Sequence, residues 1–312
     1  MDQTVDRSCL QLQDGRLLES GPNELILRNA ATGKTEWTYQ RDGMSCGLLT
    51  KDTVYVAADA DKLIALDRSS GKEKWAFTTP TKFPRRAGPR PTVTPSVVHA
   101  LYDGKILSVS LTTRKELWRR DETADISVTN TVPAADTLLT VTANGKLCVL
   151  SAATGKELWT HATESAGIIE AVPTVLDNVV YFGSGDRHVY AVDLQSRKTR
   201  WTAKLDHPTT WPVVHIDDRL FIPDGSHLHG LDRTTGKQAW KVASEDHGHT
   251  LAGPKQFLYT RPRAQQVRSL DPETGDIFWT LAKMPDPEIA ADNDHLYVST
   301  PTSIKAFKLK TP

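Results

Sequence analysis

One short motif constrains this chain more than any other feature. Seven stretches align with one another: residues 29–37 (NAATGKTEW), 66–75 (LDRSSGKEKW), 109–118 (VSLTTRKELW), 150–159 (LSAATGKELW), 192–201 (VDLQSRKTRW), 231–240 (LDRTTGKQAW) and 270–279 (LDPETGDIFW). Seven of the eight tryptophans thus occupy one repeat position, at spacings of 38, 43, 41, 42, 39 and 39 residues. A period near 40 without helical patterning points to a β-propeller, in which each repeat is one four-stranded blade.

The fifth repeat shows the strands most clearly. Residues 172–175 precede an Asp177-Asn178 turn, 179–182 follow, a second turn covers 183–186, and 188–192 lead through 196–198 to 200–202. Short β-rich runs between Gly, Asp and Asn turns read as antiparallel hairpins. Asp103-Gly104, Asn144-Gly145 and Asp224-Gly225 fit type I′ turns, in which both central residues take positive φ. Gly33, Gly71, Gly155, Gly236 and Gly275 stand where the Thr-Gly-Lys turn needs an unusual φ. Arg114 and Arg197 hold that position in the third and fifth repeats, so those turns are expected to be strained or differently shaped.

After Trp279 comes a further unit of three strands (288–292, 295–299 and 303–309) without the Thr-Gly-Lys-Trp element. Eight inner three-strand units and seven outer strands leave one outer strand missing, and residues 2–8 can supply it. Length agrees, since 312 residues over eight units is 39 each. The expectation is an all-β, eight-bladed β-propeller of four-stranded antiparallel blades. It forms a single domain over 1–312, closed by N-terminal residues pairing with the last blade. Seven blades with a C-terminal extension is the alternative.

Charge and cysteine content narrow the partners. With 38 basic and 38 acidic side chains the net charge is zero, which argues against nucleic acid as a partner. The apolar runs fall far short of the roughly 18 residues of a membrane span. Residues 1–7 lack a basic segment followed by an apolar stretch, so no secretory signal is read. Cys9, Cys46 and Cys148, odd in number and widely spaced, do not form a disulfide framework and lean towards a reducing compartment. The expected location is cytoplasmic, or periplasmic or extracellular if a signal has been removed, and the expected state is a monomer.

The Leu-Asp-x-x-Thr-Gly-Lys-x-x-Trp pattern resembles the pyrroloquinoline-quinone-like (PQQ-like) β-propeller repeat family, in its BamB-like form. The resemblance covers nearly the whole chain. It implies that the repeat tryptophans (Trp37, Trp75, Trp118, Trp159, Trp201, Trp240 and Trp279) dock on the neighbouring blade, and that Trp211 stands outside the repeat. It does not carry quinone chemistry: the family's quinone dehydrogenases use adjacent cysteines and a calcium ligand set, and neither can be assigned here. No PQQ or other cofactor is therefore expected.

Departures from the repeat mark the candidate site, because function sits on loops held by a rigid scaffold. The longest connection, residues 78–93, carries Arg85, Arg86 and Arg90 with Phe83 among them. It reads as a clamp for an anion or acidic partner, or as a solvated basic loop. Six of the ten histidines fall between positions 207 and 249. His227 and His229 share one strand face, and His247 and His249 sit on a blade-to-blade connection beside Glu245 and Asp246. His207 and His247 are candidate acid–base groups; no HExxH or CxxC pattern accompanies them, and no metal site is assigned. Asn130 and Glu170, aligned before the first strands of their blades, are placed at a channel mouth with Thr92 and Thr209. Glu170 there is a candidate base or simply a hydrated carboxylate. No P-loop, GxSxG or dinucleotide fingerprint is present.

Two functions follow. One is a non-catalytic scaffold that binds a small anionic ligand or a protein partner in a funnel formed with Trp211, His249 and the arginines. The other is an enzyme of a specialised bacterial biosynthetic pathway using Glu170, His207 and His247.

Overall fold

A computed structural model describes residues 9–59, 61–79, 90–102, 105–120, 126–142, 145–165, 172–209, 211–243, 249–252, 258–261, 266–282, 284, 287–300 and 303–309. The fold class is an eight-bladed β-propeller, and its strands form eight antiparallel sheets in chain order. The first comprises Cys9–Gln13, Arg16–Ser20, Glu24–Asn29 and Thr35–Gln40; the second Leu48–Leu49, Thr53–Ala58, Lys62–Asp67 and Glu73–Thr78. The third comprises Thr92–Val93, Val97–Tyr102, Lys105–Ser110 and Glu116–Arg120; the fourth Ile126–Ala134, Thr137–Thr142, Lys146–Ser151 and Glu157–Ala162. The fifth comprises Thr174–Leu176, Val179–Gly183, His188–Asp193 and Thr199–Lys204; the sixth Val214–Ile216, Arg219–Pro223, His227–Asp232 and Gln238–Ala243. The seventh comprises His249–Ala252, Leu258–Arg261, Val267–Leu270 and Ile277–Leu281. The eighth has three strands among the described residues, Glu288–Ala291, His295–Thr300 and Ser303–Lys308. Its expected fourth strand falls on residues 2–8, which lie outside the described residues.

The chain groups into two compact units, Met1–Leu138 with Leu150–Lys156, and Leu139–Val149 with Glu157–Pro312. In both, the core is a stack of sheet-to-sheet layers, and strand periodicity explains it. Successive side chains of a strand point to opposite faces. In the first unit, Val54, Val56 and Ala58 pack with Leu18, Leu25 and Leu27 of the first sheet. The alternate residues Tyr55 and Ala57 pack with Val98, Ala100, Leu107 and Val109 of the third. The strand Thr53–Ala58 is therefore buried along its whole length. In the second unit, Leu220 and Ile222 join Val179, Tyr181 and Ala191, while Phe221 joins Leu258 and Leu270. Fourth strands such as Thr199–Lys204 alternate between exposed and partly buried residues, since one face meets solvent.

The repeat tryptophan ties neighbouring sheets together. Its indole N–H donates to a backbone carbonyl of the next sheet's Thr-Gly-Lys turn region: Trp37 to Arg68 at 2.8 Å, Trp118 to Ala152 at 2.9 Å, Trp201 to Arg233 at 3.0 Å and Trp240 to Pro272 at 2.9 Å. The turn glycine makes room for the ring. A Cβ on Gly236 would come within 2.5 Å of Trp201, and φ there is +71°. Arg197 keeps the same turn, with φ 62° and its N–H on the Asp193 carbonyl at 2.8 Å. Arg114 does likewise, with φ 58°. The turn shape is thus conserved across repeats, and strain in the left-handed region is the outcome at both arginines.

Arginines bolt the other turns. Buried Arg68 pairs with Asp14 at 3.0 Å and donates to the carbonyls of Gln13, Thr50 and Lys51. Arg233, at the aligned position, reaches Asp177 at 2.6 Å and Asp218 at 3.0 Å. Two expectations need correction. The Asp224-Gly225 turn is not type I′: the Asp224 N–H bonds the His227 carbonyl at 3.0 Å, so the central pair is Gly225-Ser226. Only Gly225, at φ 90°, is left-handed there, the pattern of type II′. The cysteine reading also changes, because Cys46 is disulfide-bonded, while Cys148 is buried in the core outside that bond.

Candidate functional site

Of the residues singled out in the sequence, Arg85, Arg86, Glu170 and His247 lie outside the described residues. Asn130 and His249 are placed by backbone alone, in Ile126–Ala134 and His249–Ala252. Arg90 is partly buried just before Thr92–Val93. His207 and Trp211 share the connection between the fifth and sixth sheets, His207 exposed and Trp211 partly buried. Thr209 between them is buried, not solvent-facing. Its hydroxyl donates to the Pro223 carbonyl at 2.6 Å, and its methyl fills the space left by Gly183. Thr92 instead meets Thr131, their hydroxyls 2.7 Å apart.

Among the described residues, the sixth sheet brings two aspartates and two histidines within reach of one another. The turn between its second and third strands is an Asx turn: Asp224 Oδ1 accepts the N–H groups of Ser226 and His227 at 3.0 and 2.8 Å. Asp224 Oδ2 accepts the His207 N–H at 3.2 Å and faces His229 Nε2 at 2.9 Å. His229 and Asp224 are both about 1% exposed. His229 Nδ1 lies 2.9 Å from Gln238 Oε1, a carbonyl oxygen, and so donates to it. His227, two residues back on the same face, stacks on the exposed His207 ring with centroids 6.5 Å apart and planes 11° apart. Its Nδ1 is 3.6 Å from Asp206 Oδ2 and 3.8 Å from Asp224 Oδ1. Asp206 is also held by Lys241 Nζ at 2.7 Å, a pairing that keeps its carboxyl below the usual range. Burial pushes the Asp224 carboxyl up. The contact with His229 and the hydrogen bonds from the Ser226 and His227 N–H groups outweigh it and leave the group lowered and ionised at neutral pH.

The sequence pointed to His207, His227 and His229 but not to the two aspartates. Asp224 reads only as a turn residue. The available signal was the repeat itself. At the position of His229 the other repeats carry Ile26, Ile64, Leu107, Cys148, Tyr190 and Arg268, four of them small or apolar side chains. A buried histidine there needs polar partners.

The fifth sheet solves the same position differently. Tyr190 donates its hydroxyl to Asp186 at 2.6 Å and accepts the Glu164 N–H at 2.9 Å, and its pKa is raised by burial and by Asp186. In the first unit, a polar groove of about 710 Å³ is lined by Gly21, Asn23, Glu24, Arg41, Asp42 and Asp59. Arg41 is fixed there by Asp59 at 3.1 Å and Glu73 at 2.7 Å. Turns between second and third strands, and sheet-to-sheet connections, supply both the groove and the sixth-sheet cluster. Among the described residues, no helix is long and apolar enough to cross a membrane.

A family model described as outer membrane protein assembly factor BamB matches residues 7–111, 29–132, 102–241 and 224–301. Among curated proteins, the chain is 22% identical over 241 residues to the outer membrane protein assembly factor BamB of Shewanella oneidensis, covering 72% of this chain and 60% of that protein. It is 27% identical over 173 residues to lupanine 17-hydroxylase [cytochrome c] of a Pseudomonas species, covering 46% of this chain and 25% of the enzyme. The chain therefore spans under two thirds of the length of either relative. The crystal structure of BamB from Moraxella catarrhalis matches with a TM-score of 0.78 over 96% of both chains at 14% identity, a likeness of fold.

Proposed function

The chain belongs to the PQQ-like repeat family of the outer membrane protein assembly factor BamB, and from that premise we propose that it is a non-catalytic scaffold for a protein partner. The partner contacts the turns between second and third strands and the sheet-to-sheet connections. The observation that carries this reading is that the charged groups on those turns are committed to one another. Arg41 is held by Asp59 and Glu73, and Asp186 by Tyr190. Charges locked this way present a rigid, preorganised surface, which lowers the entropic cost of docking. The repeat-regular Thr-Gly-Lys turns at the other end of each sheet serve packing. The disulfide at Cys46 supports an oxidising location outside the cytoplasm.

The test compares two surface variants of the full chain in cross-linking from source cells, followed by reconstitution with the purified partner. Asn23→Arg with Asp42→Arg alters exposed residues of the groove, whereas Lys156→Glu with Lys237→Glu alters two Thr-Gly-Lys turns. Partner binding should fall at least tenfold in the first and stay within twofold of wild type in the second. Loss confined to the second pair would reject the chosen surface. Turnover of a small substrate that depends on His207 would reject the scaffold in favour of an enzyme.

A further inference from the structure

We propose that the sixth sheet holds a divalent transition-metal ion of the zinc class between Asp206, Asp224, His227 and His229. Among the described residues these four side chains place one ligand atom each within 4.8 Å of all the others. Tetrahedral coordination with bonds of about 2.0–2.1 Å sets ligand atoms about 3.3 Å apart. The distances of 2.9 Å from His229 Nε2 to Asp224 Oδ2 and 3.6 Å from His227 Nδ1 to Asp206 Oδ2 bracket that value.

Two further observations favour a cation over a self-contained hydrogen-bond network. The first is the tautomer of His229. Its Nδ1 donates to Gln238 Oε1, so the neutral ring presents the Nε2 lone pair. That lone pair faces a carboxylate oxygen at 2.9 Å inside a buried site. Two acceptors aimed at each other repel unless a cation or an extra proton lies between them. An imidazole whose second nitrogen is anchored by an outer acceptor is the usual arrangement of a metal-bound histidine. The second is His227. Its Nδ1 atom is buried without a hydrogen-bond partner, yet it points at carboxylates of both Asp206 and Asp224. Such an atom loses its hydration without replacement, a cost that a metal bond removes.

The donor set selects the metal. Two imidazoles and two carboxylates suit zinc and its neighbours, whereas magnesium and calcium take oxygen ligands. Four protein ligands leave no open position, so the site is structural. It fastens the connection bearing Asp206 and His207 to the hairpin bearing Asp224. Lys241 is the built-in competitor, since its ammonium occupies Asp206 Oδ2 at 2.7 Å. The inference is independent of the scaffold reading, and failure of either test leaves the other standing.

The experiment uses the untagged full chain, stripped with a chelator and titrated with Zn²⁺ in competition with a chromophoric chelator. Co²⁺ is titrated in parallel and read by its visible absorption. One equivalent should bind, with the intense bands of tetrahedral Co²⁺. Asp206→Asn, at a half-exposed position, should weaken binding at least tenfold. Gln238→Leu, which removes only the outer anchor, should weaken it about 10–100-fold. Lys241→Gln should tighten it several-fold, a direction that general destabilisation does not produce. No saturable binding in wild type would overturn the proposal and leave His229 and Asp224 as a directly bonded pair. Equal affinity in wild type, Asp206→Asn and His227→Gln, with circular dichroism unchanged, would overturn it too, as would an octahedral Co²⁺ spectrum.

Discussion

His99 shows how far the fold alters a single residue. It is fully buried, with Nδ1 2.7 Å from Ser108 Oγ and its ring 5.7 Å from that of Trp118. Burial pushes its pKa down to about 4. In the unfolded chain it titrates near 6.5. Between those values the unfolded state binds a proton that the folded state refuses. The contribution of His99 to stability is therefore intact above about pH 6.5 and lost progressively as pH falls to about 4. At about 1.36 kcal/mol per tenfold change in proton affinity, the loss is roughly 3 kcal/mol. Urea denaturation at pH 7 and pH 4.5 should show most of this fall, and His99→Gln should flatten it. An undiminished slope in the variant would assign the effect elsewhere. Carboxylates such as Asp67, held near a pKa of about 2 by Ser69 and Ser70, act at lower pH. The sequence offered one cue to His99, its place in the apolar run of residues 97–102. The histidines crowd into 207–249 instead, and density along a chain does not measure burial.

The Thr-Gly-Lys turn joins the third and fourth strands of a sheet and seats the tryptophan of its neighbour. Strands and turns were legible because they rest on local chemistry: period-two burial, and glycine where φ is positive. Even the three strands of the eighth sheet among the described residues followed from counting. The type of the Asp224 turn was not legible, because a glycine after aspartate fits either of two hairpin registers. The bulge after the third-strand residue facing tryptophan, as at Ala191/Val192 and Gly230/Leu231, was not legible either. It depends on pairing geometry that no residue type announces. Substitution at the turn separates its two demands, positive φ and space for the indole. Gly236→Ala violates both, with a Cβ 2.5 Å from the Trp201 ring, and should cost at least about 2 kcal/mol. Arg197→Gly at an exposed position removes left-handed strain of about 1–2 kcal/mol and adds roughly 0.5–1 kcal/mol of unfolded-state entropy. A net gain of about 0.5–1 kcal/mol is expected in chemical denaturation at unchanged m value. A loss at Arg197→Gly would mean that its side chain makes contacts worth more than the strain.

For the molecule as a whole, the fold was legible and the site only in part, for one physical reason. The repeat is written in seven of the eight blades, whereas a site is written once, by residues that folding brings together from distant positions. Asp206 and His229 meet across 23 residues of sequence, and neither looks unusual in its own segment. The cysteines make the same point. Three scattered thiols suggested a reducing setting, yet Cys46 forms a disulfide while Cys148, 7% exposed, does not. A disulfide constrains the unfolded chain and typically adds about 2–4 kcal/mol. The expected result is a drop of that size when reductant is added to the folded protein, measured by denaturant midpoint at matched pH. Thiol titration of the unfolded, unreduced chain should count fewer groups than the three cysteines of the sequence. Cys148 should react only after unfolding, because its sulfur is shielded in the core. Full thiol reactivity before reduction, with a midpoint insensitive to reductant, would refute the bond. It would also remove the chemical support for a location outside the cytoplasm.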